Sequence, residues 1–69
     1  MACEKQKELR KVAHEILERI ALMAEEQVKA MKNEDDERLM AIDIKLETEF
    51  GAKERAFGAL FEHRKQHDC

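Results

Sequence analysis

Four side chains able to bind a soft metal stand near the two ends of the chain: Cys3 at one, and His63, His67 and Cys69 at the other. His63 and His67 are four residues apart, so on a helix they project from one face, a spacing at which two imidazoles can share an ion. Two thiolates would complete a tetrahedral Cys2His2 site for zinc. A zinc finger has closely paired cysteines, whereas Cys3 and Cys69 meet only if the chain folds back on itself. Three other uses compete for these residues. Cys3 and Cys69 could close a disulfide, which would contribute several kcal/mol in the loop-closure picture but is disfavoured in a reducing compartment. Both could be free thiols. The histidines could simply place cationic character at the negative end of a helix.

His14 is the other candidate. It stands four residues before Glu18, and a folded-back chain brings it level with Glu54. A ferritin-like carboxylate–histidine metal centre inside a four-helix bundle is assembled from such groups, but it uses Glu-x-x-His pairs. No glutamate stands three before any histidine. A hydrogen-bonded or solvent-facing histidine is the simpler use. Nucleophilic catalysis has little to draw on: there is no serine, one threonine (Thr48) and no glycine-rich loop. A thiolate–imidazolium pair of Cys3 or Cys69 with His63 or His67 is chemically reasonable. Two helices, however, offer no deep pocket to exclude water. The expectation is a protein that is not an enzyme.

The elements that must position these groups are helices. Charged residues make up 42% of the 69 positions and apolar residues 43%, with no proline, no tryptophan, no tyrosine and only Gly51 and Gly58 as breakers. Apolar residues recur at helical spacing. Leu9, Val12, Ala13, Ile16, Ile20 and Met23 form one seam, continuing through Gln27 to Ala30. A second row lies beside it: Leu17, Ala21, Ala24, Val28 and Met31. Together they span roughly 180° of the helix, against the ~100° stripe of a helix packed on one side. One partner helix cannot cover that width. In the second half, Leu39, Ile42, Leu46, Phe50, Phe57, Leu60 and Phe61 fall on one stripe, interrupted by Lys53 and Glu54. Met40, Ile44, Gly51 and Gly58 form a thin flank where another helix could approach closely.

The phase of the two stripes separates one rod from two helices. Extending the first seam by sevens puts core at Glu37, Ala41, Ile44 and Thr48, about two residues out of step with the second stripe and more than helical drift allows. The break falls in Lys32-Asn33-Glu34-Asp35-Asp36-Glu37-Arg38. Asn33 or Asp35 can cap the second helix, and the acidic run suits its positive end. The predicted fold is therefore all-α: one domain over 1–69, an antiparallel, coiled-coil-like two-helix hairpin with helices over 4–32 and 35–67 and a turn at 33–35. Residues whose numbers sum to roughly 68 then lie opposite each other.

A chain of this length buries only about 60% of its unfolded surface, and small proteins usually need a further staple. The broad surface of the first helix points to a second copy, and a homodimer closing a four-helix bundle is the simplest arrangement, with Leu17, Ala21, Ala24, Val28 and Met31 at the interface. Another helical protein is the alternative partner, and Met23, Met31 and Met40 around the turn suit either core filling or an adaptable docking surface. The net charge is −3, with seven basic and six acidic residues over 1–33 and six basic and ten acidic over 34–69. Basic residues are interspersed with acidic ones, so a nucleic-acid footprint is not expected. No apolar run approaches the ~18 residues of a membrane helix, and the first residues lack a signal-peptide layout, so a cytoplasmic protein is expected.

Overall fold

Inward-facing side chains recur at alternating steps of three and four residues along both halves of the chain, the spacing that keeps one seam of a helix against a partner. The computed structural model describes the backbone of residues 2–67 and the side chains of residues 4–66. Helix α1 runs over Ala2–Lys32 and helix α2 over Asp36–His67, and the two pack along their length as an antiparallel hairpin 50 × 14 × 11 Å in extent. Among the described residues there is no strand.

The reversal is made without glycine. The Glu34 N–H donates to the Met31 carbonyl at 3.2 Å and the Asp35 N–H to the Ala30 carbonyl at 2.9 Å. This is the Schellman pattern, which satisfies the last carbonyls of a helix through one left-handed residue. Glu34 takes that conformation at φ 55°, where a side chain costs about 1 kcal/mol relative to glycine. Immediately afterwards the Asp35 carboxylate accepts from the Arg38 N–H at 3.2 Å, and its carbonyl accepts from the Leu39 N–H at 3.0 Å. Asp35 is thus the N-cap of α2, with Asp36 and Glu37 in the positive first turn.

In α1 the seam is Gln6, Leu9, Ala13, Ile16, Ile20, Met23, Gln27 and Ala30, all buried or half-buried. Val12, expected on it, is 48% exposed. In α2 the seam differs more from expectation. It runs through Leu39, Ile42, Leu46, Glu49, Lys53, Ala56, Leu60 and His63, while Phe50 and Phe61 are exposed and Phe57 is half-buried. Strict three–four spacing carries the seam through two charged residues, and the aromatics fall to one side of it. Glu49 remains tolerable because Arg19 reaches it at 3.2 Å. Lys53 turns its ammonium over the Phe57 ring, 5.7 Å from the centroid, leaving its alkyl stem in the seam.

The resulting core is thin: Ala13, Ile16, Ala30, Ile42, Leu46 and Leu60 are its buried apolar members. Gln6 is buried too, with its Oε1 lacking a hydrogen-bond partner. Neither glycine is a site of close helix approach within the hairpin. A Cβ at Gly58 would meet nothing within 4 Å, and one at Gly51 only the tip of Arg55 at 3.5 Å.

Candidate interaction surface

The register is fixed by bonds between the helices. Arg19 Nε donates to Glu49 Oε2 at 3.2 Å, Arg38 lies 3.7 Å from Glu26, and Gln27 Nε2 donates to Asp43 Oδ1 at 3.4 Å. This places Ile16 level with Lys53, Ala13 with Ala56, Leu9 with Leu60 and Gln6 with His63. The bonds also distinguish two flanks. Arg19 and Glu26 stand seven apart on one edge of the α1 seam, Arg38 borders it from α2, and the seam residue Glu49 turns its carboxylate out to Arg19, so this flank carries the ion pairs.

The other flank is apolar. Leu17, Ala21, Ala24, Val28 and Met31 are all exposed in the single hairpin, Val28 at 54% and Met31 at 63%. From α2, Met40 heads one row that continues in steps of seven through Glu47 and Glu54 to Phe61, and Asp43 heads another that continues through Phe50 to Phe57. The Phe57 and Phe61 rings meet edge-on, with centroids 5.9 Å apart. Near the turn the flank sinks into an open groove of about 600 Å³ lined by Ala24, Gln27, Val28, Met31, Lys32 and Leu39. A second groove of about 420 Å³ shares Gln27, Met31 and Leu39 and extends to Met40, Asp43 and Ile44. The paired flank and the aromatic membership of the open one escaped the sequence reading. The signal was present in the three–four step from Leu46 to Glu49, which displaces Phe50 from the seam.

The groups considered for metal chemistry are placed as follows. His63 lies half-buried in the penultimate turn of α2, and His67 is the last residue of that helix. Cys69 and the side chains of Cys3 and His67 lie outside what the structure describes, so the proposed four-residue cluster is not placed. Among the described residues, no group of three or more histidines, cysteines or carboxylates is arranged to hold a metal ion. His14 is on the outer surface, its Nδ1 3.1 Å from Glu18 Oε1, with 70% and 62% of the two side chains exposed. Glu54 is exposed as well. His14, Glu18 and Glu54 therefore do not converge inside the hairpin. No helix among the described residues is long and apolar enough to cross a membrane.

Fold and surface together define a class: a small antiparallel helical hairpin with a heptad seam, one ion-paired flank and one open apolar flank. Comparison with protein-family models, with curated proteins and with solved structures finds no match for the chain.

Proposed function

We propose that the chain is a non-enzymatic interaction protein that works by self-association, two hairpins joining through their open flanks as a homodimeric four-helix bundle. The observation that carries this reading is the asymmetry of the flanks. Leu17, Val28, Met31, Met40, Phe50 and Phe61 are each 40% or more exposed on one side, while the other side carries the ion pairs, with Val12 and Leu22 the exposed large apolar residues beside them. An apolar patch of this extent on a monomer of this size marks a surface meant to be covered.

The area agrees. A compact monomer of 8.1 kDa exposes about 4,500 Å². This chain exposes 5558 Å². Part of the excess of about 1,000 Å² follows from the 50 × 14 × 11 Å rod shape, and covering one flank would remove area of the order of the ~800 Å² that each partner buries in a standard interface. Burial of that order would also reinforce a core whose own six apolar members are few for a hairpin of this length.

Sedimentation equilibrium at micromolar concentration tests the proposal. A species of twice the chain mass is expected, with thermal unfolding that shifts upward with concentration. A folded monomer whose melting is independent of concentration overturns it.

A second reading has its own support: the hairpin brings the start of α1 and the end of α2 to the same end of the molecule, and Cys3, His63, His67 and Cys69 stand near those points in the sequence. On that reading, protein purified without chelator carries a stoichiometric thiophilic metal such as zinc, and a variant with both His63→Ala and His67→Ala loses it. Metal-free protein with an unchanged melting temperature after zinc addition removes the reading.

A further inference from the structure

Two closed arrangements bring a pair of hairpins together through one flank, because the two-fold axis of a self-complementary interface lies in the plane of contact. With the axis along the hairpins, the two turns sit at the same end and α1 of one copy lies against α2 of the other. With the axis across them, the turns sit at opposite ends and α1 lies against α1. We infer that the axis runs along the hairpins, with the turns together. This rests on the self-association proposed above and adds its polarity and register.

The distribution of side chains along the flank is the reason. On α1 the apolar members, Leu17 to Met31, occupy only the half nearest the turn. Seven-residue steps back from Leu17 and Ala21 reach Arg10, His14 and Lys7, so the same rows become basic toward the start of the helix. On α2 the charged members of the flank between Met40 and Phe61 are acidic: Asp43, Glu47 and Glu54.

An axis along the hairpins preserves height, so the relation that sets Arg19 against Glu49 within one chain also holds between chains. Val28 of one copy then lies level with Met40 of the other, Ala24 with Ile44, and Leu17 with Phe50 and Gly51. At the far end, His14 lies level with Glu54, and Lys7 and Arg10 flank the Phe57–Phe61 pair. Near the turn the apolar rows of α1 meet Met40 and Phe50, with Asp43, bonded to Gln27 of its own chain, and Glu47 between them, and the basic segment meets the one carboxylate and two aromatic faces of the far end.

An axis across the hairpins that keeps the two copies overlapped over their full length reflects α1 about its middle. Ala24 would then face Arg10, Val28 would fall beside Lys7, and Ala21 would fall beside His14. The grooves at the turn, lined by Val28, Met31, Leu39 and Met40, would receive Lys7 and Arg10 from α1 together with Phe61 from α2. That arrangement desolvates cations against apolar surface and leaves their acidic complements in water.

The distance between the two turns tests the inference. In the full chain with Cys3→Ser and Cys69→Ser, a spin label is attached at Asn33→Cys, and in a second preparation at Glu37→Cys. Both positions are exposed, so either reports if the other perturbs the turn. Pulsed dipolar measurement is expected to give a separation of about 20 Å, set by helix spacings of about 10 Å. A dimer with labels separated by nearly the 50 Å length of the hairpin overturns the polarity and leaves self-association standing. Unlabelled native chain that sediments as a monomer overturns both.

Discussion

Along one flank of the hairpin Arg19 reaches Glu49 and Arg38 reaches Glu26; along the other, the same two helices present Val28, Met31, Met40 and Phe61 to water. Both flanks border the same seam and have the same length. They differ in whether the side chains beside the seam find partners within their own chain. A long charged residue at the edge of a two-helix seam can reach across and pair, so the ionic contacts of the arginine-bearing flank are complete at the level of one chain, with Val12 and Leu22 left exposed beside them. A methionine or valine at the equivalent edge has no charge to pair across the seam, and the groove beside Leu39 is left open. The contrast therefore separates what one chain finishes from what it leaves for a neighbour.

The largest expected effect follows from replacing Leu17, Val28 and Met31 together by glutamine. Each truncates apolar area that the proposed dimer covers, and each occurs twice. At ~25 cal/mol per Å² the loss is roughly 5 kcal/mol per dimer, or more than a thousandfold weaker association. Sedimentation should show monomer, with the helical circular dichroism signal reduced in proportion to how far folding depends on association. An unchanged dimer would mean that the open flank is not the interface.

A smaller effect is expected inside the seam. Gln6 is buried with an unpartnered carbonyl oxygen, so Gln6→Leu removes an unsatisfied acceptor and adds apolar contact beside Leu9. A gain of about 1–3 kcal/mol is expected, read as a higher urea midpoint with unchanged slope. Because Gln6 belongs to the seam, association should strengthen no more than the fold itself. A loss of stability would show that the amide is bonded to something beyond the described residues.

At the turn, Glu34→Gly relieves a left-handed residue of its side chain and should add about 1 kcal/mol, while Asp35→Ala removes the cap of α2 and should cost about the same. The opposite signs at adjacent positions make the pair a sensitive check, read from two melting curves. The turn also shows how far the sequence could be read. The polar run and the phase shift located the reversal, and an N-cap at Asn33 or Asp35 was visible because aspartate before an apolar run accepts free N–H groups. That Glu34 would take the role usual for glycine was not visible, since nothing in its side chain favours a left-handed backbone; the hydrogen bonds on either side impose it. The α1 seam was legible because its members are nearly all apolar. The α2 seam was misread between Phe50 and Phe61 because hydrophobicity drew the stripe toward the phenylalanines, whereas packing geometry follows spacing and accepts Glu49 and Lys53 when Arg19 and Phe57 neutralise them. The candidate metal cluster depends on side chains at the extremities, where sequence spacing alone does not fix a geometry.

The smallest effect on stability is expected where the ionic contacts are most visible. The Glu26–Arg38 pair is half or more exposed at both residues, and such a pair contributes about 1 kcal/mol or less after solvent screening and side-chain ordering, whereas Arg19 also satisfies the largely buried Glu49. What the ion pairs supply is a flank that no second apolar surface will accept. Replacing Glu26 and Arg38 by leucine should therefore leave the urea midpoint of the hairpin nearly unchanged or slightly raised. It would also give the molecule a second open flank opposite the first. A hairpin with one apolar flank closes on its partner and stops, whereas a hairpin with two extends in both directions, because every added copy presents a fresh surface. The double variant is expected to sediment as a broad distribution of assemblies larger than the native species, growing with concentration. If it remains a single species of native mass, the ion pairs do not limit assembly, and the difference between the flanks would lie in shape instead of charge.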